Sequence, residues 1–301
     1  MRNIRIGIDI GGTKIEIVAI DESSRIVYRK RQQAPHDNYD RTLLVIEELV
    51  TGVEQKIGRA ASIGVGMPGI ISPVTGVVKN SNSVHLIGHP LDKDLSKLLD
   101  RPLRFANDAN CLALSESTDG AAENADTVFA VILGTGVGGG LVINRKVVNG
   151  INAITGEWGH NPLPWPKADE WPGPKCYCGK TGCIETFLSG SGLARIHTAK
   201  SGQTFSALEI ANLSEQGDIV AEASLSQYEE RLARALASVI NVIDPEIIVL
   251  GGGLSNLERI TANVPPLWEP FVFSDHVKTQ LVRAQHGDSS GVRGAAWLWN
   301  S

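Results

Sequence analysis

One short segment of the chain, residues 156–185, concentrates side chains that bind transition metals. It contains one histidine and three of the four cysteines: His160, Cys176, Cys178 and Cys183. Three thiolates and one imidazole form the ligand set of a closed, tetrahedral structural zinc site. Gly179 and Gly182 allow the tight reversal that brings the later cysteines to one ion. We therefore predict a zinc site with a structural role, because four protein ligands leave no open position for a substrate.

The alternative for these cysteines is a disulfide or a group of buried thiols. Cys176 and Cys178 are separated by one residue, an unfavourable spacing for a disulfide, whose Cα atoms lie about 4.4–6.8 Å apart with facing side chains. Cys111, outside the segment, is predicted to be a buried thiol. Glu157 and Glu185 bracket the segment, and a rigid metal loop would hold both carboxylates in fixed positions.

The order and spacing of these residues resemble a known family. Glu157-Trp158-Gly159-His160, followed by the Cys-x-Cys-Gly-x-x-Gly-Cys-x-Glu pattern of residues 176–185, resembles the ROK family of bacterial sugar kinases and repressors. Further motifs extend the resemblance over nearly the whole chain. It implies a two-lobed α/β fold of the sugar kinase/actin/Hsp70 type (ribonuclease H-like), with a cleft between the lobes and a structural zinc loop at 156–185.

Composition and charge argue against several classes of function. The chain has 301 residues, 42% of them hydrophobic, which favours two domains. Its net charge of -5 provides no basic field for nucleic acid or an anionic membrane. No apolar run approaches the roughly 20 residues of a membrane span, and an alternating strand stands where a signal peptide would lie. We predict a soluble cytoplasmic enzyme without nucleic-acid or membrane partners.

A glycine turn interrupts the first apolar alternation. Isoleucines at every second position of residues 4–10 are followed by Gly11-Gly12-Thr13, and the alternation then resumes, which predicts two strands joined by a tight turn. The segment is not a P-loop, because the order is Gly-Thr-Lys and a strand follows where a helix is required. Such a turn either binds a phosphate through its N–H groups or is a plain hairpin turn.

The resemblance implies that this turn is the first phosphate motif of the superfamily. Asp9 would orient hydrated Mg²⁺, and Lys14 would offset phosphate charge. The candidate nucleotide-binding residues here are Asp9, Gly11, Gly12, Thr13 and Lys14.

A helix over Asp40–Ile57 and a buried strand over Ser62–Ile71 are predicted next from their apolar spacing. The polar loop 79–83 follows, and loops at strand ends commonly line a cleft. Gly69 and Asn82 are candidate sugar-binding residues, although asparagines in such loops also commonly form turns.

A short strand, Leu103–Ala106, presents Asn107 and Asp108 at its carboxyl end. From residue type alone, Asp108 either caps the next helix or faces a ligand. Residues 107–110 resemble the family's Asn-Asp-Ala-Asn motif, which implies that Asp108 is the catalytic base and that Asn107 binds the sugar. The chemistry fits, because an ionised carboxylate within about 2.6–3.2 Å of a sugar hydroxyl accepts its proton as the phosphoryl group transfers.

The strand predicted over Thr127–Leu133 runs into a second glycine-rich segment, residues 134–140. This segment contains G-x-G-x-x-G, but a strand continues over Leu141–Ile143 where a dinucleotide-binding fingerprint must open a helix. A glycine hairpin that presents N–H groups to ATP phosphates fits better, and it resembles the family's second phosphate motif. The candidate nucleotide-binding residues here are Gly134, Thr135 and Gly136.

A third glycine run follows a buried strand over Ile247–Leu250. On spacing alone it is either a strand-to-helix turn or a ligand loop, and the resemblance implies an adenosine-binding loop in which the lack of side chains lets a base approach the backbone. Its residues are Gly251, Gly252 and Gly253.

The C-terminal half is predicted to be mainly helical. Apolar residues at 225, 228, 232, 236, 239 and 242 form one core face of a long helix that ends before Pro245. The resemblance implies that the last helix returns to the N-terminal domain. The predicted domains are 1–112 plus 289–301, and 113–288.

The predicted function is ATP- and Mg²⁺-dependent phosphorylation of a hexose at its 6-hydroxyl. Glu157, His160 and Glu185 would fix the sugar hydroxyls, with one nitrogen of His160 on Zn²⁺ and the other free for a hydrogen bond. Residues 157–165 and 286–299 most resemble the proteobacterial fructokinase (mannokinase) branch. This implies D-fructose as the first substrate, with mannose and glucose as secondary substrates.

Three alternatives remain. N-acetyl-D-glucosamine kinase is the nearest, since the sequence does not show whether Trp158 and Trp165 block the acetamido group. A sugar-sensing ROK repressor would need a winged helix before this region, for which residues 1–3 leave no room. A zinc hydrolase is the third alternative, and it is disfavoured because four protein ligands would fill every coordination position of the metal. The family expectation for assembly is a homodimer.

Overall fold

The computed structural model describes residues 4–35 and 37–299. Met1, Arg2 and Asn3, on which the argument against a repressor partly depends, lie outside the described residues. The chain divides into two compact units. Unit 1 comprises residues 1–124, 142–155 and 288–301, and unit 2 comprises residues 125–141 and 156–287.

Unit 1 is built on a five-stranded sheet of order β3-β2-β1-β4-β7. Strands β1 to β3 are antiparallel, and β4 and β7 extend the sheet in parallel. The strands of this sheet are β1 (Arg5–Ile10), β2 (Lys14–Ile20), β3 (Ile26–Gln33), β4 (Ser62–Met67) and β7 (Leu103–Asn107). The other elements of the unit are α1 (Tyr39–Ile57), β5 (Ile70–Ile71), β6 (Val78–Lys79), α2 (Leu91–Leu98), α3 (Asp108–Asp119), β10 (Lys146–Val147) and α9 (Ser290–Trp297).

Two glycines allow α9 to lie directly on this sheet. Gly7 of β1 and Gly64 of β4 are register partners. A Cβ atom on Gly7 would lie 2.0 Å from the Val292 carbonyl oxygen, and one on Gly64 would lie 1.8 Å from that of Ala295. The predicted return of the last helix to the N-terminal unit is therefore observed.

The second sheet repeats the strand order of the first, as β10-β9-β8-β11-β12. Its further strands are β8 (Thr127–Leu133), β9 (Val137–Ile143), β11 (Ile247–Gly251) and β12 (Gln280–Arg283). The helices of unit 2 are α4 (Ile184–Leu188), α5 (Gly190–Ser201), α6 (Ala207–Glu215), α7 (Ile219–Ile243) and α8 (Glu258–Trp268). The repeated order is what a duplicated fold would produce.

Three sequence predictions about elements differ from the structure. The strand predicted over Ser62–Ile71 is two strands, β4 and β5, because Pro68 and Gly69 break it and Gly69 takes a positive φ of 78°. The second glycine turn ends at Gly136, since residues 137–140 already belong to β9. Val242 is 84% exposed and not part of the core, because it lies in the last turn of α7 beyond the buried face.

The predicted domain boundary at 112/113 falls inside α3, all of which belongs to unit 1. The helix continues through residue 119 and packs along α9, so the chain leaves unit 1 only after residue 124. Residues 142–155 then return to unit 1, a crossing that the sequence pattern did not indicate. Among the described residues, no helix is both long and apolar enough to cross a bilayer.

Candidate active site and metal centre

The four predicted metal ligands converge in unit 2. The ligand atoms of His160, Cys176, Cys178 and Cys183 all lie within 4.8 Å of one another. The Sγ atoms of Cys178 and Cys183 are 3.7 Å apart, and Sγ of Cys176 is 3.6 Å from Nδ1 of His160. A tetrahedral ion with Zn–S of about 2.3 Å and Zn–N of about 2.0 Å requires S···S and S···N distances of roughly 3.8 and 3.5 Å. The donor set and its spacing therefore fit Zn²⁺, and all four cysteines of the chain are free thiols.

The metal loop folds as the glycines predict. Gly179 and Gly182 take positive φ angles of 88° and 70°. The N–H of Cys176 donates to the Lys180 carbonyl oxygen at 2.8 Å, which closes the reversal. Glycine adopts this backbone conformation without the steric cost that a Cβ atom would add.

A buried ion-pair cluster attaches this loop to α7. Glu170 accepts hydrogen bonds from Arg231 at 2.7 Å and from Arg234 at 2.8 and 2.9 Å, and the three side chains are 5% exposed or less. Arg234 also donates to the carbonyl oxygens of Pro164 and Trp165. Burial by itself would raise the pKa of Glu170, but the hydrogen bonds from Arg234 and Arg231 outweigh burial and lower the pKa to about 2.

Glu170→Gln is expected to destabilise the protein by about 3–5 kcal/mol, because it removes the carboxylate shared by two buried guanidinium groups, of which Arg234 keeps only the longer 3.5 Å pair with Glu230. Since the folded-state pKa lies below the unfolded value of about 4.3, the stabilisation is complete above that value and is lost as pH falls toward 2. Chemical denaturation at pH 7 and pH 3 measures both effects. Glu48→Gln breaks an exposed pair with Arg41 and serves as the control, with an expected effect below about 1 kcal/mol. Equal losses of unfolding free energy in the two variants would contradict a stabilising role of the buried Glu170 cluster.

The predicted sugar-binding residues of unit 2 surround the metal loop. Glu157 is half-buried and directly precedes the 3-10 turn Trp158–His160. Oε2 of Glu185 accepts a hydrogen bond from the Val137 N–H at 3.0 Å, which connects the metal loop to the second glycine turn. Gly136 makes room for this contact, because a Cβ atom there would lie 2.6 Å from Oε2.

One detail of the loop, at His160, differs from the sequence prediction, and another, the position of Trp158, was left open by the sequence. Nε2 of His160 is not free, since it lies 3.0 Å from the hydroxyl oxygen of Tyr177, whose side chain is 81% exposed. Trp158 is buried, donates from Nε1 to the Gly138 carbonyl oxygen at 3.0 Å and contacts Phe129 edge-on. The Trp158 ring is thus part of the unit 2 core.

In unit 1, the helix cap considered for Asp108 belongs to Asn107. Oδ1 of Asn107 caps α3 by accepting from the Asn110 N–H at 2.7 Å. Asp108 follows as the first helical residue, with an exposed carboxylate whose Oδ1 accepts from the Ala109 N–H at 2.8 Å. Because Asn107 provides the cap, the Asp108 carboxylate stands in the first turn of α3 and is not used as the N-cap.

Asp9 lies at the end of β1 and interacts with Asp108. Burial is the main cause that raises the pKa of Asp9, and the negative charges of Asp108 and Glu16 act in the same direction. Together they bring this pKa to about 7. Glycines 66 and 291 lie next to the carboxylate, and a Cβ atom on either would be in ordinary van der Waals contact with it at 3.5 Å. Oxygen ligands of this kind are those that Mg²⁺ prefers, and a cation would relieve the repulsion.

The first glycine turn has the predicted form. The Gly11 N–H donates to the Lys14 carbonyl oxygen at 2.9 Å, and Gly12 and Thr13 form the exposed tip. Of the two predicted loop residues, Gly69 lines a cavity of about 200 Å³ in unit 1 together with Asn107. Asn82 is exposed and does not line this cavity.

A cavity of about 1180 Å³ in unit 2 contains part of the predicted nucleotide set. Gly134, Thr135 and Gly253 line it. Gly251 ends β11 as a buried residue, and Gly252 passes so close to β8 that a Cβ atom would lie 2.5 Å from the Leu133 carbonyl oxygen. The volume exceeds the roughly 300–1,000 Å³ typical of small-molecule sites.

Sequence reasoning missed the N-terminus of α5, which lines the same cavity. The Gly190 N–H donates to the Gly134 carbonyl oxygen at 2.8 Å, and Ser189 caps the helix by accepting from the Gly192 N–H. Helix N-termini bind anions through free N–H groups and the helix dipole. The sequence does contain a signal for this helix N-terminus, because Ser189, a preferred N-cap residue type, begins the run Ser189-Gly190-Ser191-Gly192.

Comparison with known proteins gives a consistent result over the full chain. The chain is 41% identical over 296 residues to an N-acetyl-D-glucosamine kinase of Salmonella paratyphi C, covering 97% of this chain and 98% of that protein. Among solved structures, a ROK hexokinase from Thermus thermophilus superposes with a TM-score of 0.87 at 30% identity, covering 98% of this chain and 97% of that one. A ROK family glucokinase from Streptomyces griseus, in complex with glucose and AMPPNP, superposes with a TM-score of 0.79 at 26% identity. This superposition covers 98% of this chain and 99% of that one.

The ROK family sequence profile matches residues 5–301. This match and the 41% identity to a full-length relative confirm the resemblance predicted from the metal loop and the glycine turns. The chain belongs to the ROK family.

Proposed function

We propose that this protein transfers the γ-phosphoryl group of ATP to the 6-hydroxyl of a hexose. The observation that carries the proposal is the exposed Asp108 carboxylate at the N-terminus of α3, beside a cavity lined by Asn107 and Gly69. The names of the N-acetyl-D-glucosamine kinase, the hexokinase and the glucokinase support the same reaction type.

In this mechanism Asp108 accepts the proton of the attacking hydroxyl, and Asn107 orients the sugar. Asn107 uses Oδ1 for the helix cap, so its NH₂ group is what remains for the ligand. Phosphoryl transfer requires positioning and charge stabilisation more than covalent chemistry. Within unit 1, the Lys14 ammonium and the exposed turn at Gly12 and Thr13 would contribute both for the phosphates.

Asp9 would orient the hydrated Mg²⁺, and Mg²⁺ would neutralise charge on the phosphate oxygens. The large cavity of unit 2 would hold the adenosine part of ATP between the Gly134 turn and the loop at Gly253. A structural Zn²⁺ on His160 and the three cysteines would hold Glu157 and Glu185 in place for the sugar hydroxyls.

Two acceptors are supported by different observations. The 41% identity to an N-acetyl-D-glucosamine kinase supports that amino sugar. Residues 157–165 and 286–299 suggested D-fructose through their resemblance to the fructokinase branch, but the curated relatives are N-acetyl-D-glucosamine kinases, so the amino sugar is the better supported acceptor.

A coupled assay of ADP release across N-acetyl-D-glucosamine, fructose, mannose and glucose distinguishes these acceptors. We expect Mg²⁺-dependent turnover, and the largest kcat/KM identifies the substrate. A preference for N-acetyl-D-glucosamine would reject the fructokinase assignment, and a preference for fructose would show that specificity differs from that of the 41% identical relative. ADP release with none of the four hexoses would contradict the proposed function.

A further inference from the structure

The 200 Å³ cavity of unit 1 has a composition suited to a neutral polyol. Apolar side chains form much of its wall, among them Met67, Ile70 and Phe105. Its polar side chains are the amides of Asn107, Asn110 and Asn149, and no charged side chain of the described residues lines it. Amides bind hydroxyl groups as donors and acceptors, whereas an anion would require cationic or free N–H groups.

Asn110 is the unusual member of this set. Its side chain is 6% exposed, and its buried Oδ1 accepts no hydrogen bond from any described residue. A buried polar atom without a partner costs about 1–3 kcal/mol and is uncommon in native proteins. Since Asn110 lines the cavity, a bound molecule with an O–H or N–H group can supply the missing partner.

The helix cap determines what the two neighbouring amides offer a ligand. Oδ1 of Asn107 is occupied by the Asn110 N–H, which leaves the Asn107 NH₂ group as a donor. Oδ1 of Asn110 is an acceptor. Asn107 is the N-cap of α3 and Asn110 lies in its first turn, and both side chains line the same cavity. A donor next to an acceptor matches sugar hydroxyl groups, which accept and donate.

We propose that Asn110 is a further acceptor-binding residue, whose Oδ1 receives a hydrogen bond from a hydroxyl group of the hexose. The inference rests on the proposed function, because the hexose is the substrate named there. Asn110 thereby contributes to acceptor affinity and selectivity, while Asp108 carries out the proton transfer.

The test is Asn110→Leu, which keeps the branched shape and removes both polar atoms. Removing Oδ1 leaves no hydrogen-bond donor of the described residues unsatisfied, so the variant is expected to fold. We expect the KM for the preferred hexose to rise at least about tenfold, roughly the loss of one well-made hydrogen bond. The KM for ATP should change less than about twofold. Asn110→Asp keeps an oxygen acceptor and should recover part of the lost affinity.

Ser115→Ala is the matched control. Ser115 lies in the same helix, and its buried Oγ likewise has no hydrogen-bond partner, but it does not line the cavity. We expect this variant to keep the wild-type KM values. A bound hexose should raise its melting temperature as much as that of the wild-type protein, whereas Asn110→Leu should lose this increase.

A normal hexose KM in a folded Asn110→Leu variant would overturn the role of Asn110 and leave the proposed function intact. An equal rise in the KM for hexose and for ATP would also overturn it, since that pattern indicates a general structural defect. If wild-type protein neither binds nor phosphorylates any of the four hexoses by calorimetry and ADP release, both the proposed function and this inference fail.

Discussion

Asp108→Asn is expected to lower kcat at least about 100-fold, within the 10²–10⁴ range typical of general base catalysis. The amide cannot accept the proton of the sugar hydroxyl, so the phosphoryl group would have to transfer to a weaker nucleophile. KM for hexose and ATP should change little, because the amide has the size of the carboxylate and Asn107 retains the cap of α3. Steady-state and single-turnover kinetics measure the effect.

The control for Asp108→Asn is Asp40→Asn. Asp40 is also an exposed aspartate in the first turn of a helix capped by an asparagine, here α1 with Asn38. Both substitutions remove a negative charge near a helix N-terminus, which is worth about 0.3–1 kcal/mol of stability. Only the change at Asp108 should affect kcat, and near-normal turnover in Asp108→Asn would remove it from the role of base.

Cys178→Ser is expected to release the metal and lower the melting temperature by several degrees or more. Metal binding in structural zinc sites contributes apparent free energies on the order of 10–16 kcal/mol in small zinc-finger peptides, so loss of one thiolate ligand has a large effect. Cys178 is exposed, so the substitution disturbs little packing and its consequences report on the metal. Activity should fall with stability, because Glu157 and Glu185 flank the loop.

Elemental analysis of the wild-type protein should find one zinc per chain, and the Cys178→Ser protein should contain a small fraction of that. Cys111→Ala is the control, because Cys111 is a buried cysteine of unit 1 outside the ligand cluster. This variant should keep its zinc even if the lost thiol costs some stability. A wild-type preparation that is free of metal yet stable and fully active would contradict the zinc site.

Several features of the candidate site follow from local chemistry and were predictable. The ligand set His160, Cys176, Cys178 and Cys183 depends on residue type and close spacing, and the four ligand atoms do converge. The positive φ angles at Gly179 and Gly182 are a property of tight reversals that glycine tolerates. Likewise, the strand–turn–strand pattern around Gly11 and Gly12 follows from period-two alternation, and the hairpin is present.

Other features depend on which distant segments become neighbours. Gly252 is predicted from the sequence as a nucleotide-binding glycine, and the close approach of the Leu133 carbonyl oxygen is a second reason for its lack of a side chain. Gly139 likewise has no space for a Cβ atom beside Trp158. Segment 142–155 returns to unit 1 through contacts that no local pattern encodes.

By itself, the sequence determined the family, the metal ligands, the glycine turns and the placement of Asp108 at a strand end, because each depends on residues close together in the chain. Only the tertiary structure decided that Asn107 takes the cap of α3, that His160 meets Tyr177, and that Oδ1 of Asn110 is buried without a partner. The physical reason is that hydrogen-bond partners and burial are properties of packing between elements, whereas ligand chemistry and backbone turns are properties of short segments.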